Sequence, residues 1–225
     1  MTYKLFFSGI DGAGKSACAD LLTTKLASKY RIVRAGSRDF YMYFKGQKCL
    51  VAKRRLFKKS ELLRTRLGYL YGVFLVLNFI YKAVTVCQVK LFTKPDLLIY
   101  EVDGVLHPAA YITYHLPITR YITRKLRLGI LGILFGSRKS SVRVYLNVDP
   151  EIAMGRINKR GSDGGSHENL EDLTLIKAEL DGLVKLAVNN GFDILTIDTN
   201  FKSLDEVAHD IELVVDRKLA SVAAV

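Results

Sequence analysis

Gly9-Ile10-Asp11-Gly12-Ala13-Gly14-Lys15-Ser16 matches G-x-x-x-x-G-K-[ST] at every position, and its flanks give the match its meaning. Upstream, Tyr3-Lys4-Leu5-Phe6-Phe7-Ser8 reads as a short apolar strand; downstream, Ala17 to Lys29 carries apolar residues at helical spacing. A strand, a glycine-rich turn and a helix N-terminus together make a phosphate cradle. The glycines let backbone N–H groups turn onto phosphate oxygens, and the helix dipole adds positive potential there. Lys15 is the cation expected on the β- and γ-phosphates, and Ser16 the hydroxyl expected on Mg²⁺. A chance glycine-rich turn has no reason to sit between such a strand and such a helix. Residues 9–16 therefore specify a nucleoside triphosphate site.

Outward from the loop, strands and helices alternate, which argues for a parallel sheet flanked by helices in one α/β domain spanning 1–225. Arg31-Ile-Val-Arg34-Ala35 reads as a second strand. Lys94-Pro95-Asp96 introduces a third, Leu97-Leu-Ile-Tyr-Glu101, which finishes on a carboxylate. Ser141 to Val148 alternates as a fourth strand. Asp149-Pro150-Glu151 then supplies a capping residue, a first-position proline and a first-turn acid. Phe192 to Asp198 is the last strand, after the helix stop Asn190-Gly191. Ser203-Leu-Asp-Glu206 is a capping box opening a final helix with Val207, Ile211, Val214, Val215 and Leu219 on its apolar face.

Charge is divided unevenly. The 225-residue chain carries a net +12, yet residues 1–141 hold 25 basic and 7 acidic side chains while 142–225 hold 9 and 15. Lys45 to Lys139 alone has 18 basic residues against 4 acids, more than a nucleotide site requires. This basic and apolar region is expected to be helical and to face the phosphoryl acceptor. Within it, Lys53 to Arg66 and Arg120 to Arg127 adjoin the apolar runs Leu67–Tyr81 and Leu128–Phe135. The first run is shorter than the roughly 18–20 residues that span a bilayer. It reads as a buried or homodimer-interface helix, with peripheral contact to an anionic membrane as the alternative. No RNA- or DNA-recognition module accompanies the charge, so specific nucleic-acid binding is not expected. Cys18, Cys49 and Cys87 are odd in number and far apart, which gives neither a disulfide framework nor a zinc site and points to a cytoplasmic setting. The N-terminal apolar run is only a strand long and does not read as a signal peptide.

Ligands of parallel sheets sit beyond the carboxyl ends of the strands, so the residues there are the site candidates. Past the third strand lie Glu101 and Asp103, placed to hold the metal through water or to accept a hydrogen bond from the acceptor. Past the second strand, Arg34 and Arg38 are placed to reach an acceptor phosphate, and Tyr111 and Tyr114 to stack a base. Arg156 and Arg160 share a helix face ahead of the glycine-rich stretch Ser162 to Glu168. They suit a lid over about 156–170 that closes on phosphates and excludes water.

These landmarks resemble the thymidylate kinase-like nucleoside monophosphate kinases. The resemblance rests on the loop G-I-D-G-A-G-K-S with an acid in third position and on Val144-Tyr-Leu-Asn-Val-Asp149-Pro-Glu-Ile-Ala. Arg156, Lys159-Arg160-Gly161, Ile197-Asp198-Thr199 and Leu204-Asp-Glu-Val extend it. It covers both ends of the chain and little of residues 45–140. It implies a three-layer P-loop kinase fold whose five-stranded parallel sheet has the order 2-3-1-4-5. It further implies ATP and Mg²⁺, and transfer of the γ-phosphoryl group to a nucleoside monophosphate such as dTMP. Arg156 and Arg160 would be the transition-state cations beside Lys15, and Asp11 would face the acceptor sugar. Three departures touch acceptor recognition or transition-state charge. Glu101-Val102 stands where the family has Asp-Arg, and Arg34-Ala-Gly-Ser-Arg38 where it has Arg-Glu-Pro. Ser166-His167-Glu168 stands where the lid has an arginine before an acid. They leave open a sugar or lipid-linked acceptor at a membrane, or a nucleotide-binding regulator with a degenerate site.

Overall fold

The computed structural model describes residues 2–36, 39–44, 47–53, 88, 91–103, 106–107, 109–110, 129, 141–161 and 169–223. In chain order these give β1 (Tyr3–Ser8), α1 (Lys15–Leu26), β2 (Ile32–Ala35), β3 (Asp39–Phe44), β4 (Gln47–Lys53), β5 (Leu97–Tyr100) and β6 (Ser141–Asn147). α2 (Pro150–Arg160), α3 (Leu170–Asn189), β7 (Ile194–Asp198) and α4 (Leu204–Ala223) follow. Arg38, Tyr111, Tyr114, the apolar run 67–81, the basic stretch 54–66, most of 120–135 and the lid residues 162–168 lie outside the described residues.

One seven-stranded sheet runs β4-β3-β2-β5-β1-β6-β7. β2, β5, β1, β6 and β7 pair in parallel. Taken alone, these five strands have the expected order 2-3-1-4-5. The sheet differs from the expectation at its β2 edge, where an antiparallel hairpin of β3 and β4 adds two strands. Residues 47–53 are thus strand, where the basic region was expected to be helical. Their lysines did not mark a solvated helix face: the Lys48 ammonium lies over the Tyr41 ring, 4.3 Å from its centroid.

Alternation along the central strands places apolar side chains on both faces of the sheet. Leu5, Phe7, Ile32 and Ile99 join the main core with Leu22 of α1 and Ile211 and Val215 of α4. Phe6, Val33, Ala35, Leu98 and Tyr100 form a second cluster, in which the Phe6 and Tyr100 rings stack at 4.5 Å. β6 is buried along almost its whole length, as a strand covered on both faces must be. On it Arg143 is fully buried, held between the rings of Phe6 and Phe192 at 4.9 and 4.7 Å. Asp149 occupies the N-cap position of α2 with Pro150 after it, although its side chain makes no capping hydrogen bond; its backbone N–H instead donates to Asn200 Oδ1 at 2.8 Å. The capping box of α4 forms as expected. Ser203 N–H donates to Glu206 Oε2 at 2.7 Å, and Glu206 N–H donates to Ser203 Oγ at 3.3 Å. Ion pairs from Lys25 to Asp205 and from Lys29 to Glu212 and Asp216 tie α4 to α1. The outcome is a cradle whose loop, at the carboxyl end of the central strand, is fixed from the sheet and from two helices.

Candidate nucleotide site

Two glycines of the loop are required by what they touch. A Cβ on Gly9 (φ +146°) would lie 2.8 Å from the Leu146 carbonyl oxygen of β6, and one on Gly12 (φ +82°) only 2.4 Å from the Ala153 carbonyl oxygen of α2. The loop is pressed between a strand end and a helix that only a bare backbone can approach this closely. Gly14, at φ 92°, is the N-cap of α1, and no acid occupies the first turn of that helix to compete for its N–H groups.

The loop lysine folds back over the cradle. Lys15 Nζ donates to the Gly9 and Ile10 carbonyls at 2.9 and 2.8 Å and to Asp11 Oδ1 at 3.4 Å. Burial lowers its pKa below the ordinary lysine value; Asp11 opposes the shift and the Arg160 charge adds to it. A triphosphate in the cradle would replace those carbonyls as the partner of Lys15 and favour its charged form.

A cleft of about 330 Å³ opens over the loop, lined by Asp11, Gly12, Lys15, Ser16, Arg156 and Arg160 among others. The structure thus brings together the loop and both cations expected at the lid helix. Arg156 is anchored as well as placed: its Nη2 donates to the Thr199 carbonyl at 2.5 Å, and Thr199 N–H donates to the Asn147 carbonyl at 2.8 Å. Contact through a main-chain carbonyl leaves no trace in side-chain identity, so the role of Thr199 has no sequence signal.

Glu101 meets the first turn of α1 at Ser16. Ser16 Oγ donates to Glu101 Oε2 at 3.4 Å, while Glu101 Oε1 pairs with Arg34 Nε at 2.6 Å. The Arg34 guanidinium also forms a two-armed ion pair with Asp20, four residues after Ser16 on the same face of α1. Burial works against the charge on Arg34, and the Asp20 and Glu101 carboxylates outweigh it, leaving its pKa above the ordinary arginine value. The sequence reading did not single out Asp20, which only its four-residue spacing from Ser16 could have marked; the meeting of Arg34 with Glu101 requires the pairing of β2 with β5. A hydroxyl and a carboxylate oxygen side by side at a helix N-terminus are hard donors of the kind Mg²⁺ takes, so the residues present fit that ion.

Asp103, expected at the acceptor, is fully buried. Its carboxylate accepts from the Leu106 N–H at 3.1 Å and pairs with Arg143 Nε at 3.0 Å, and neither partner lines the cleft.

No protein-family model matches the chain, and no curated protein matches it. Solved structures do. The fold is similar to that of deoxyadenosine kinase from M. mycoides with products dCMP and a flexible dCDP bound, at a TM-score of 0.60 and 16% identity over 95% of this chain and 99% of that one. The same enzyme with bound dATP aligns at 0.59 and with bound dCTP at 0.57, each at 16% identity over 95% of this chain and 98% and 97% of theirs. At such identity the likeness is one of fold: a P-loop kinase sheet with its helices.

Proposed function

We propose that the protein is an ATP-dependent phosphotransferase that moves the γ-phosphoryl group to an acceptor of the nucleoside class. The observation that carries this reading is the convergence of Lys15, Arg156 and Arg160 on one cleft above a complete phosphate loop. Phosphoryl transfer needs little covalent help from the protein and much positioning and charge. Bound Mg²⁺ would neutralise phosphate charge, held by Ser16 and approached by Glu101. Lys15 would leave the Gly9 and Ile10 carbonyls for phosphate oxygens, and the loop N–H groups would orient them. Arg156, braced on Thr199, and Arg160, one turn further along α2, would meet the charge that develops on the transferred group.

The acceptor itself is argued from charge and fold. Arg34 is engaged by two carboxylates, so it is a weaker candidate for an acceptor phosphate than its place at β2 suggested. That favours an uncharged nucleoside hydroxyl, in keeping with the fold shared with the deoxyadenosine kinase. Transfer to a nucleoside monophosphate, dTMP first, is the second reading. It is favoured by Asp11 in third position of the loop, beside the cleft. ADP formation by the purified protein with ATP and Mg²⁺ tests both, against deoxynucleosides and their monophosphates, with Lys15→Ala as the blank. Stimulation by deoxynucleosides supports the first reading and stimulation by dTMP the second. Folded protein that binds ATP and is stimulated by neither class would overturn both.

A further inference from the structure

Arg34 bridges two carboxylates at the place where the phosphoryl-transfer reading puts a metal. Its guanidinium pairs with Asp20 on one side and, at 2.6 Å, with Glu101 on the other, while the second Glu101 oxygen stands 3.4 Å from Ser16 Oγ. Arg34 and Glu101 are largely buried, with side chains 10% and 14% exposed, whereas Asp20 is 63% exposed. Were the arginine absent, two acids and a hydroxyl would face one another around a gap at a helix N-terminus, an arrangement that attracts a divalent cation. With it present, a positive charge lies against the oxygen donor that such a cation would need.

We propose that Arg34 is a positioning residue that sets the metal requirement of this site, an inference that rests on the phosphoryl-transfer reading. It fixes Glu101 beside Ser16, and its charge keeps a divalent cation from settling there before the nucleotide arrives. The triphosphate then brings the remaining oxygen donors and negative charge, and only their sum draws the metal against Glu101. The metal therefore enters with the nucleotide rather than ahead of it.

Mn²⁺ binding to the nucleotide-free protein, followed by electron paramagnetic resonance of the free ion, tests this without any turnover. Wild type binds weakly, and Arg34→Met binds about tenfold tighter because the repelling charge is gone. Arg34→Lys keeps a cation there and stays within about threefold of wild type. Arg34→Met combined with Glu101→Gln returns to weak binding. Equal Mn²⁺ affinity in wild type and Arg34→Met overturns the proposal, as does tightening that persists in the double variant. Should Arg34→Met fail to fold, the unaltered protein still decides. The Arg34 Nε resonance, assigned by its loss in Arg34→Lys, shifts on adding Mg²⁺ with ATP and not on adding ATP with a chelator, because the Glu101 oxygen 2.6 Å from it is drawn toward the ion. A resonance that ignores the metal overturns the proposal. None of these readouts needs an acceptor, so a failed kinase assay and a failed metal-gating test remain separate results.

Discussion

Substituting Gly12 by alanine separates two costs that the loop geometry combines. At φ +82° an alanine bears the left-handed strain of about 1–2 kcal/mol. The new Cβ also meets backbone: the Ala153 carbonyl oxygen at 2.4 Å and its carbon at 2.9 Å. Backbone cannot rotate aside as a side chain can, so α2 must recede by about 1 Å, and forced overpacking of this kind costs a further ~1–3 kcal/mol. Gly14 is the control, because at φ +92° it bears the same strain with nothing within 4 Å. Thermal unfolding should therefore fall by about 2–8 °C in Gly14→Ala and by about 4–20 °C in Gly12→Ala, at roughly 2–4 °C per kcal/mol for a chain of this size. Receding α2 carries Arg156 and Arg160 away from the loop, and a misplacement near 1 Å is worth about a hundredfold in rate. Turnover of Gly12→Ala at a temperature where it is folded should fall by about that factor. Equal melting losses in the two variants, with turnover intact in Gly12→Ala, would refute the packing of α2 on the loop.

Other outcomes follow from single contacts. Asp103→Asn leaves Arg143 without its buried counter-charge and should cost about 3–5 kcal/mol of stability with acceptor KM unchanged; a normal melt with raised KM would instead place Asp103 at the acceptor. Cys18 is buried in α1, and burial pushes its thiol up to about 11 against the opposing charge of Arg156. With Cys49 and Cys87 replaced by serine, a disulfide reagent at pH 8 should find no reactive thiol, and stoichiometric labelling would contradict that burial. Hydrogen bonds from the Ser203 hydroxyl and N–H lower the Glu206 pKa. The stability this supplies is fully present above the ordinary glutamate pKa and is lost as pH falls through the lowered one. Ser203→Ala should therefore melt lower than wild type at pH 7, and the gap should narrow at pH 3; a gap constant with pH would show that the pair contributes nothing.

The parallel core and the phosphate loop were legible because each depends on local pattern: a strand, glycines at fixed offsets, a capping box. The β3–β4 hairpin was not. Asp39-Phe-Tyr-Met-Tyr-Phe44 lacks the polar alternation of a half-buried strand, and Lys48 and Lys53 made the next segment look like part of a basic helical face. Only the structure reveals that Lys48 rests on aromatic rings of the preceding strand. Arg156 and Arg160 were proposed from helical spacing and lie at the cleft; Glu101 was proposed from its place after a strand and lies beside Ser16. Arg34 was expected past the second strand, whereas it lies within β2 and its partners come from α1 and from beyond β5, a meeting set by strand order rather than by any neighbour in sequence. The same holds for Asp103 and Arg143, far apart in the chain and in contact inside it.

Isolation of the phosphorylated acceptor, after incubation with ATP labelled at its γ-phosphate, tests the central claim most directly. The account predicts that the label appears on a deoxynucleoside or its monophosphate as one added phosphoryl group, that it depends on Mg²⁺, and that Lys15→Ala abolishes it. Label that stays on ATP, or appears only as inorganic phosphate whatever acceptor is present, would contradict it.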